Sequence, residues 1–334
     1  MDVRAVHERV RGSGLLAGSG VGGGQILAMV SGGRDSVCLL DVAVAVRGPG
    51  NVQAVHVNYG LRGEAADGDE RLCVELCRRL EVGLELVRVG AEERADIAAG
   101  GNLQAWARDL RYGAALRLAE ELGGAPVATG HTASDQVETI LYRLAASPGR
   151  RALLGMAPRE GPIVRPLLWL TRDQTAAYCH EVGLSWREDE SNEDERFARA
   201  RVRHKLLPAL CEVHPAAQAS VLRTAELLRQ EGELLDGLVQ DELKGAAEIA
   251  LARLEDLHPA LARLVLVRLA EERAGSHVPQ AGARLAEILA LGERGGRAEL
   301  HVGKNISAVI RDGTISMRRL PPRAGLPPRA GPPS

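Results

Sequence analysis

Between residues 25 and 182 the chain alternates short β-rich runs with segments whose apolar residues recur at helical spacing. Residues 26–30, 52–57, 84–89, 126–129 and 163–168 read as strands. Helical periods cover residues 35–46, 68–80, 103–122, 133–144 and 171–182, the first with Val37, Leu40 and Val44 turned inward. Parallel strands need long crossover connections, and helices of this length supply them. The expected fold class is therefore α/β, a parallel doubly wound sheet followed by a smaller helical domain and a short C-terminal β-hairpin. Such sheets bind ligands beyond the carboxyl ends of their strands, so chemistry is expected in the loops from strand to helix.

The organisation outside that core is read from pattern changes. Residues 1–24 are taken as a flexible N-terminal segment and 25–213 as the catalytic domain, with a boundary at His214-Pro215. Residues 214–292 keep purely helical spacing, as in Val221, Ala225, Leu228, Leu235 and Val239. Residues 293–319 read as a hairpin extension whose Asp312-Gly313 pair suits a type I′ turn. Residues 320–334 repeat Leu-Pro-Pro-Arg-Ala-Gly and are expected to be disordered.

Composition narrows the partners. Forty-two basic and 44 acidic residues give a net charge of −2, so a nucleic acid must be held by local basic patches. The aromatic fraction is only 2%, which leaves few platforms for stacking bases. No signal-like run opens the chain and no long apolar stretch suits a membrane span. Five scattered cysteines, without a CxxC pair, suggest free thiols in a reducing compartment. A cytoplasmic location is expected.

Two glycine-rich or lysine-bearing patterns fail as phosphate sites. The run from Gly18 to Gly23 satisfies G-x-G-x-x-G but precedes the first strand, whereas a dinucleotide loop follows one. A Walker A loop is absent, because Lys205, Lys244 and Lys304 are followed by Leu206, Gly245 and Asn305. The better placed candidate is Ser31-Gly32-Gly33-Arg34-Asp35-Ser36, between the first strand and its helix. Its glycines permit close backbone approach to a phosphate, its serines supply hydroxyls, and the helix adds free N–H groups at a positive dipole end.

This loop resembles the PP-loop of ATP pyrophosphatases, which cleave ATP to AMP and diphosphate. Three further segments resemble the tRNA(Ile)-lysidine synthetase family. They are His56-Val57-Asn58-Tyr59-Gly60-Leu61-Arg62-Gly63 with Asp67-Gly68-Asp69-Glu70; Gly130-His131-Thr132-Ala133-Ser134-Asp135-Gln136-Val137-Glu138-Thr139; and Asp189-Glu190-Ser191-Asn192 with Arg199 to Pro208. The likeness covers residues 25–210 in register, with departures from the family pattern at Tyr59, Ser134 and Ala200. It implies an adenine nucleotide alpha hydrolase-like domain. The implied reaction uses ATP, with Mg²⁺, to join L-lysine to the wobble cytidine of a tRNA(Ile) with a CAU anticodon.

The resemblance also implies roles. Ser31, Gly32, Gly33, Arg34, Asp35 and Ser36 would hold the diphosphate, and Asp35 would organise either Mg²⁺ or the lysine amine. Asp135 would serve adenylation or lysine binding. Arg108 or Arg111 would neutralise the α-phosphate, an exposed arginine face being the alternative. His131, Asp189, Asn192, Arg199, Arg201, Arg203 and Lys205 would position lysine or RNA, the last four against the anticodon stem. Arg223, Arg229, Arg263 and Arg268 in the helical domain would grip the tRNA body. Two other readings stand beside this one: a PP-loop enzyme of the 2-thiolation type, and a non-catalytic RNA-binding relative. Oligomeric state is left open, a homodimer being one option.

Overall fold

The computed structural model describes residues 1–18, 24–90, 103–146, 149–188 and 198–321. The chain divides into two units, Met1–Ala225 and Glu226–Ser334. The first is built on a six-stranded sheet: β1 (Ile26–Met29), β2 (Val52–Asn58), β3 (Gly83–Arg88), β4 (Val127–Ala128), β5 (Arg159–Glu160) and β6 (Ile163–Val164). Its order is β3-β2-β1-β4-β6-β5, parallel throughout except for β5 against β6.

Alternation along β1 explains the double winding. Ile26, Ala28 and Val30 enter the core that holds α2 (Arg34–Arg47) and α3 (Glu64–Arg79), whereas Leu27 and Met29 pack with Tyr112, Ala115 and Ala119 of α4 (Leu103–Glu121). Successive residues face opposite sides of a strand, so a wholly apolar run is what a strand covered on both faces needs. The two-residue strands β4 and β6 are shorter than their apolar runs. Beyond β6 the chain leaves the sheet, and Leu167 and Leu170 are buried in the main core as irregular backbone.

The opening segment differs from its sequence reading. Val3–Gly12 forms a helix, α1, whose N-cap Asp2 accepts from the Ala5 N–H. Val6, Val10 and Leu16 are buried in the main core, an i, i+4 pair being enough to bind a short helix to the sheet layer. A buried polar link reinforces it: the Tyr178 hydroxyl donates to Asp41 at 2.6 Å and lies 2.7 Å from His7 Nε2. Burial holds His7 below its ordinary value, and because the tyrosine proton goes to Asp41, the ring nitrogen is the donor to the tyrosine oxygen. Tyr178→Phe strands both partners and is expected to cost about 1–3 kcal/mol, read from the denaturant midpoint of the first unit. A loss below about 0.5 kcal/mol would show the link to be slack. Residues 19–23 of the glycine pattern lie outside the described residues.

The second unit combines helices with a four-stranded antiparallel sheet, ordered β7-β10-β9-β8. The expected hairpin is β9 (Ile306–Arg311) and β10 (Thr314–Arg319), joined by Asp312 and Gly313 at φ 51° and 73°. Positive φ at both turn residues is what type I′ geometry requires. Two strands extend it, β8 (Ala298–Gly303) and β7 (Glu248–Ala250). The purely helical reading of residues 214–292 is corrected by β7, which is too short to leave a periodic trace. The sheet buries Ile249, Ile306, Ala308, Ile310, Ile315 and Met317 against Leu254, Val265, Leu266, Leu269 and Ile288. Among the described residues no helix is long and apolar enough to cross a membrane. The tail beyond residue 321 lies outside the described residues.

Candidate active site

At the carboxyl edge of the sheet, β1 feeds α2 and its neighbour β4 feeds α5 (Ala133–Ala146). β1 also pairs with β2 on its other side, so the strand order reverses here, the place where sheets of this kind bind ligands. The two loops touch through Gly130. A Cβ there would stand 2.9 Å from the carbonyl carbon and oxygen of Asp35 and 3.0 Å from the Ser36 nitrogen. Only glycine lets the second loop approach the first this closely.

The β1 loop is a closed cup. The Ser31 N–H donates to Ser36 Oγ at 3.1 Å, and that hydroxyl donates to the Gly33 carbonyl at 2.8 Å. Gly32 takes a φ of 82°, which a side chain would resist. The loop ends in the first turn of α2, where backbone N–H groups lack intrahelical partners and Asp35 is the only acid. Residues 31–36 are thus assembled as one cradle at a helix N-terminus, an arrangement suited to a phosphate chain.

Arginine bridges three carboxylates here, Asp35 of the cradle itself and Asp135 and Glu138 of α5. Arg172, the first residue of α6 (Arg172–Glu181), reaches Asp135 at 2.8 Å, Glu138 at 3.2 Å and Asp35 at 3.6 Å. Arg203 grips Glu138 with both ends of its fork, at 2.7 and 2.9 Å, and comes within 4.0 Å of Asp135. Asp135 also accepts from the Thr132 N–H and hydroxyl, each at 2.8 Å. The Thr175 hydroxyl donates to Asp35. Burial pushes the Asp35 carboxyl above its ordinary value, with Asp135 adding to the rise while Thr175, Arg172 and Arg34 oppose it. Burial also works against the charge of Arg172, but Asp135, Glu138 and Asp35 together hold its pKa above the usual arginine range.

The acids therefore meet as the spacing of loops at one sheet edge implies, and the cation that binds them was missed. Arg172 follows Thr171, whose capping box with Gln174 marks only a helix start. Glu138 lies one turn after Asp135 on α5, and is 4% exposed. Its position inside the 130–139 segment was the available signal. Ser134, a departure from the family pattern, accepts from the Arg172 N–H at 3.2 Å and so seats the hub.

The remaining candidates separate. His131 places Nδ1 2.8 Å from the Thr129 hydroxyl, and burial lowers its pKa to about 4. Arg108 and Arg111 lie near enough to contribute to that lowering, and both approach the Tyr112 ring, at 4.7 and 5.8 Å. The Arg111 Nε is buried without a hydrogen-bond partner, whereas Arg108 is exposed. Arg199, Arg201 and Lys205 are exposed, whereas Arg203 reaches Glu138 and comes near Asp135. A π-helical turn at Val202–Leu206, between Ala198–Arg201 and Leu207–Val213, carries Arg203 inward. Arg201 and Lys205 line an open groove of about 580 Å³ with Tyr142, Val202 and Leu206. Asp189 and Asn192 lie outside the described residues.

The lowered pKa of His131 has a measurable consequence. The unfolded chain takes up its proton first as pH falls, so this part of the stability is complete above about pH 6.5 and is lost towards pH 4. Asp35, raised by burial, acts in the opposite sense above its ordinary value of 3.8. The wild type minus His131→Gln difference isolates the histidine. It is expected to shrink by on the order of 2–3 kcal/mol across that window, in denaturation curves taken at each pH. A flat difference would place a charged imidazole in the folded protein.

The PP-loop domain family matches residues 13–210. The chain is 35% identical over 292 residues to a tRNA(Ile)-lysidine synthase of Dehalococcoides mccartyi, covering 81% of this chain and 60% of that protein. It is 37% identical over 251 residues to that of Geobacter sulfurreducens, with coverages of 72% and 52%. For Pseudomonas fluorescens the identity is 38% over 224 residues, with coverages of 65% and 49%. The chain thus spans between about half and three-fifths of the length of these curated relatives. A solved U34-tRNA thiolase of Methanococcus maripaludis superposes with a TM-score of 0.53 at 17% identity, over 68% of this chain and 78% of that one. That likeness is one of fold alone.

Proposed function

The chain belongs to the PP-loop domain family, and on that premise we propose that it modifies tRNA by ligating L-lysine to C2 of the wobble cytidine in the CAU anticodon of tRNA(Ile), at the expense of ATP. The observation that carries the proposal is the meeting of the residue 31–36 cradle, through its Asp35, with Asp135 and Glu138 around Arg172 at the strand-order reversal. Identities of 35–38% to curated tRNA(Ile)-lysidine synthases support the choice of substrate.

The chemistry has two stages. The cytosine C2 oxygen attacks the α-phosphorus of ATP, the bond to the diphosphate breaks, and an adenylated base remains. The lysine ε-amine then attacks C2 and AMP leaves with the former carbonyl oxygen. Ser31, Gly32, Gly33 and Ser36 would receive the departing diphosphate, while Arg111, with its buried unpartnered Nε, would face negative charge at the α-phosphate. Deprotonating a lysine at pH 7 costs roughly 4.6 kcal/mol from its ordinary pKa, so proton loss must be coupled to attack. Asp135 and Glu138 would receive the ammonium group, with Arg172 and Arg203 yielding part of their hold.

Among the described residues no cluster of three or more metal-ligating side chains could hold a resident ion. Oxygen donors of one or two carboxylates still fit a Mg²⁺ that arrives with the nucleotide. Asp35 would be its protein ligand, and the ion would supply charge neutralisation on the phosphates. Residues 25–213 would form the catalytic domain. The arginines Arg223, Arg229, Arg263 and Arg268 would hold the tRNA body through salt-sensitive phosphate contacts.

The test is incubation of the protein with ATP, radiolabelled lysine and tRNA(Ile) bearing a CAU anticodon. Label in that tRNA, with AMP formed in equal amount, is expected. ATP turnover without lysine incorporation would overturn the proposal.

A further inference from the structure

On the α3 side of the cradle, Asp69 is 7% exposed and takes two guanidinium groups, Arg62 at 2.6 Å and Arg187 at 2.8 Å. The Arg187 guanidinium lies over Gly68. A Cβ at that glycine would stand 2.9 Å from its Cζ and 3.1 Å from both terminal nitrogens. Gly68 sits within α3, where glycine weakens a helix, and the seat it leaves for Arg187 accounts for it.

The side chain anchors a backbone contact. The Arg187 N–H donates to the Gly32 carbonyl at 3.0 Å. In a trans peptide the C=O and N–H point in opposite directions. Holding the Gly32 carbonyl towards Arg187 therefore turns the Gly33 N–H the other way, to the inside of the loop, where it donates to Ser31 Oγ at 3.4 Å. With glycine on both sides this peptide has little intrinsic resistance to flipping. Flipped, it would present a carbonyl oxygen to an incoming phosphate.

We propose that Arg187 is a positioning residue for ATP: seated on Gly68 and tied to Asp69, it locks the Gly32–Gly33 peptide with its amide facing the phosphates. It acts through that peptide and touches no phosphate itself. The inference rests on the ATP-binding role proposed above for residues 31–36.

Two variants of the full chain test it. Arg187→Ala removes the anchor, and Gly68→Leu keeps every charge while filling the guanidinium's seat with a side chain too large for a small shift of Arg187 to avoid. Both are expected to weaken ATP binding about tenfold in isothermal titration and to raise KM for ATP alike, with KM for L-lysine within about twofold of wild type. In an Asp69→Ala background, Arg187→Ala should add almost nothing, because both changes dissolve one clamp. Wild-type affinity for ATP in both variants would overturn this inference alone, as would parallel losses for ATP and lysine that track a fall in Tm. A wild type that binds no ATP would overturn the functional reading, and this inference with it.

Discussion

Asp35→Asn is expected to lower the rate of AMP formation by about a thousandfold while leaving the fold intact. The carboxylate sits in the first turn of α2, inside the cradle, and is contacted by Thr175, Arg172 and Arg34. The amide is nearly isosteric and can still accept from Thr175, so packing is preserved and only the charge is lost. That charge is what a nucleotide-borne cation or a lysine ammonium would meet. Burial raises the pKa of this carboxyl, with Thr175, Arg172 and Arg34 opposing the rise, and a carboxyl perturbed in this way beside a helix N-terminus is where chemistry is sought. The measurement is exchange of labelled diphosphate into ATP with the tRNA present and lysine withheld, followed by AMP production once lysine is added. Exchange within tenfold of wild type would remove Asp35 from the chemistry.

The largest stability effect is expected at Glu138. Glu138→Ala leaves Arg172 and Arg203 facing each other in a largely enclosed site with three hydrogen bonds gone. Breaking one side of a buried ion-pair network costs about 3–5 kcal/mol when the charges left behind are uncompensated. Asp135, which still pairs with Arg172 and lies near Arg203, holds the expected loss to the lower end, about 3 kcal/mol. For a unit of this size that corresponds to a fall in Tm of roughly 10 °C. Glu138→Gln keeps acceptor capacity on one oxygen and should lose about half as much. Calorimetry on the first unit's transition reads both. Equal stability of Glu138→Ala and wild type would mean that water, not the carboxylate, satisfies the two guanidinium groups.

Legibility in the sequence followed range. The strands and helices of the sheet announce themselves through residues one to four apart, and the structure keeps them with shifted ends. β7 is three residues long and carries no period, so the second unit's sheet was read as only a hairpin. Helix Val3–Gly12 reads as a flexible lead-in because its two buried valines are few against five polar or charged neighbours. The cradle was legible because six consecutive residues supply it. Arg172 was not, because a charged residue after a helix cap reads the same whether it meets solvent or three acids.

What the amino-acid order determined alone is the layered α/β plan, the six-residue cradle behind the first strand, and the acidic residues at the head of α5. Each depends on periodicity or on adjacency along the chain, and both are printed in the residues themselves. Tertiary structure decided which charges meet. Thr175 reaches Asp35 across 140 residues, Arg187 reaches Asp69 across 118, and Arg203 reaches Glu138 across 65. Such pairs are set by sheet order and by the burial that removes competing water, and no local pattern encodes either.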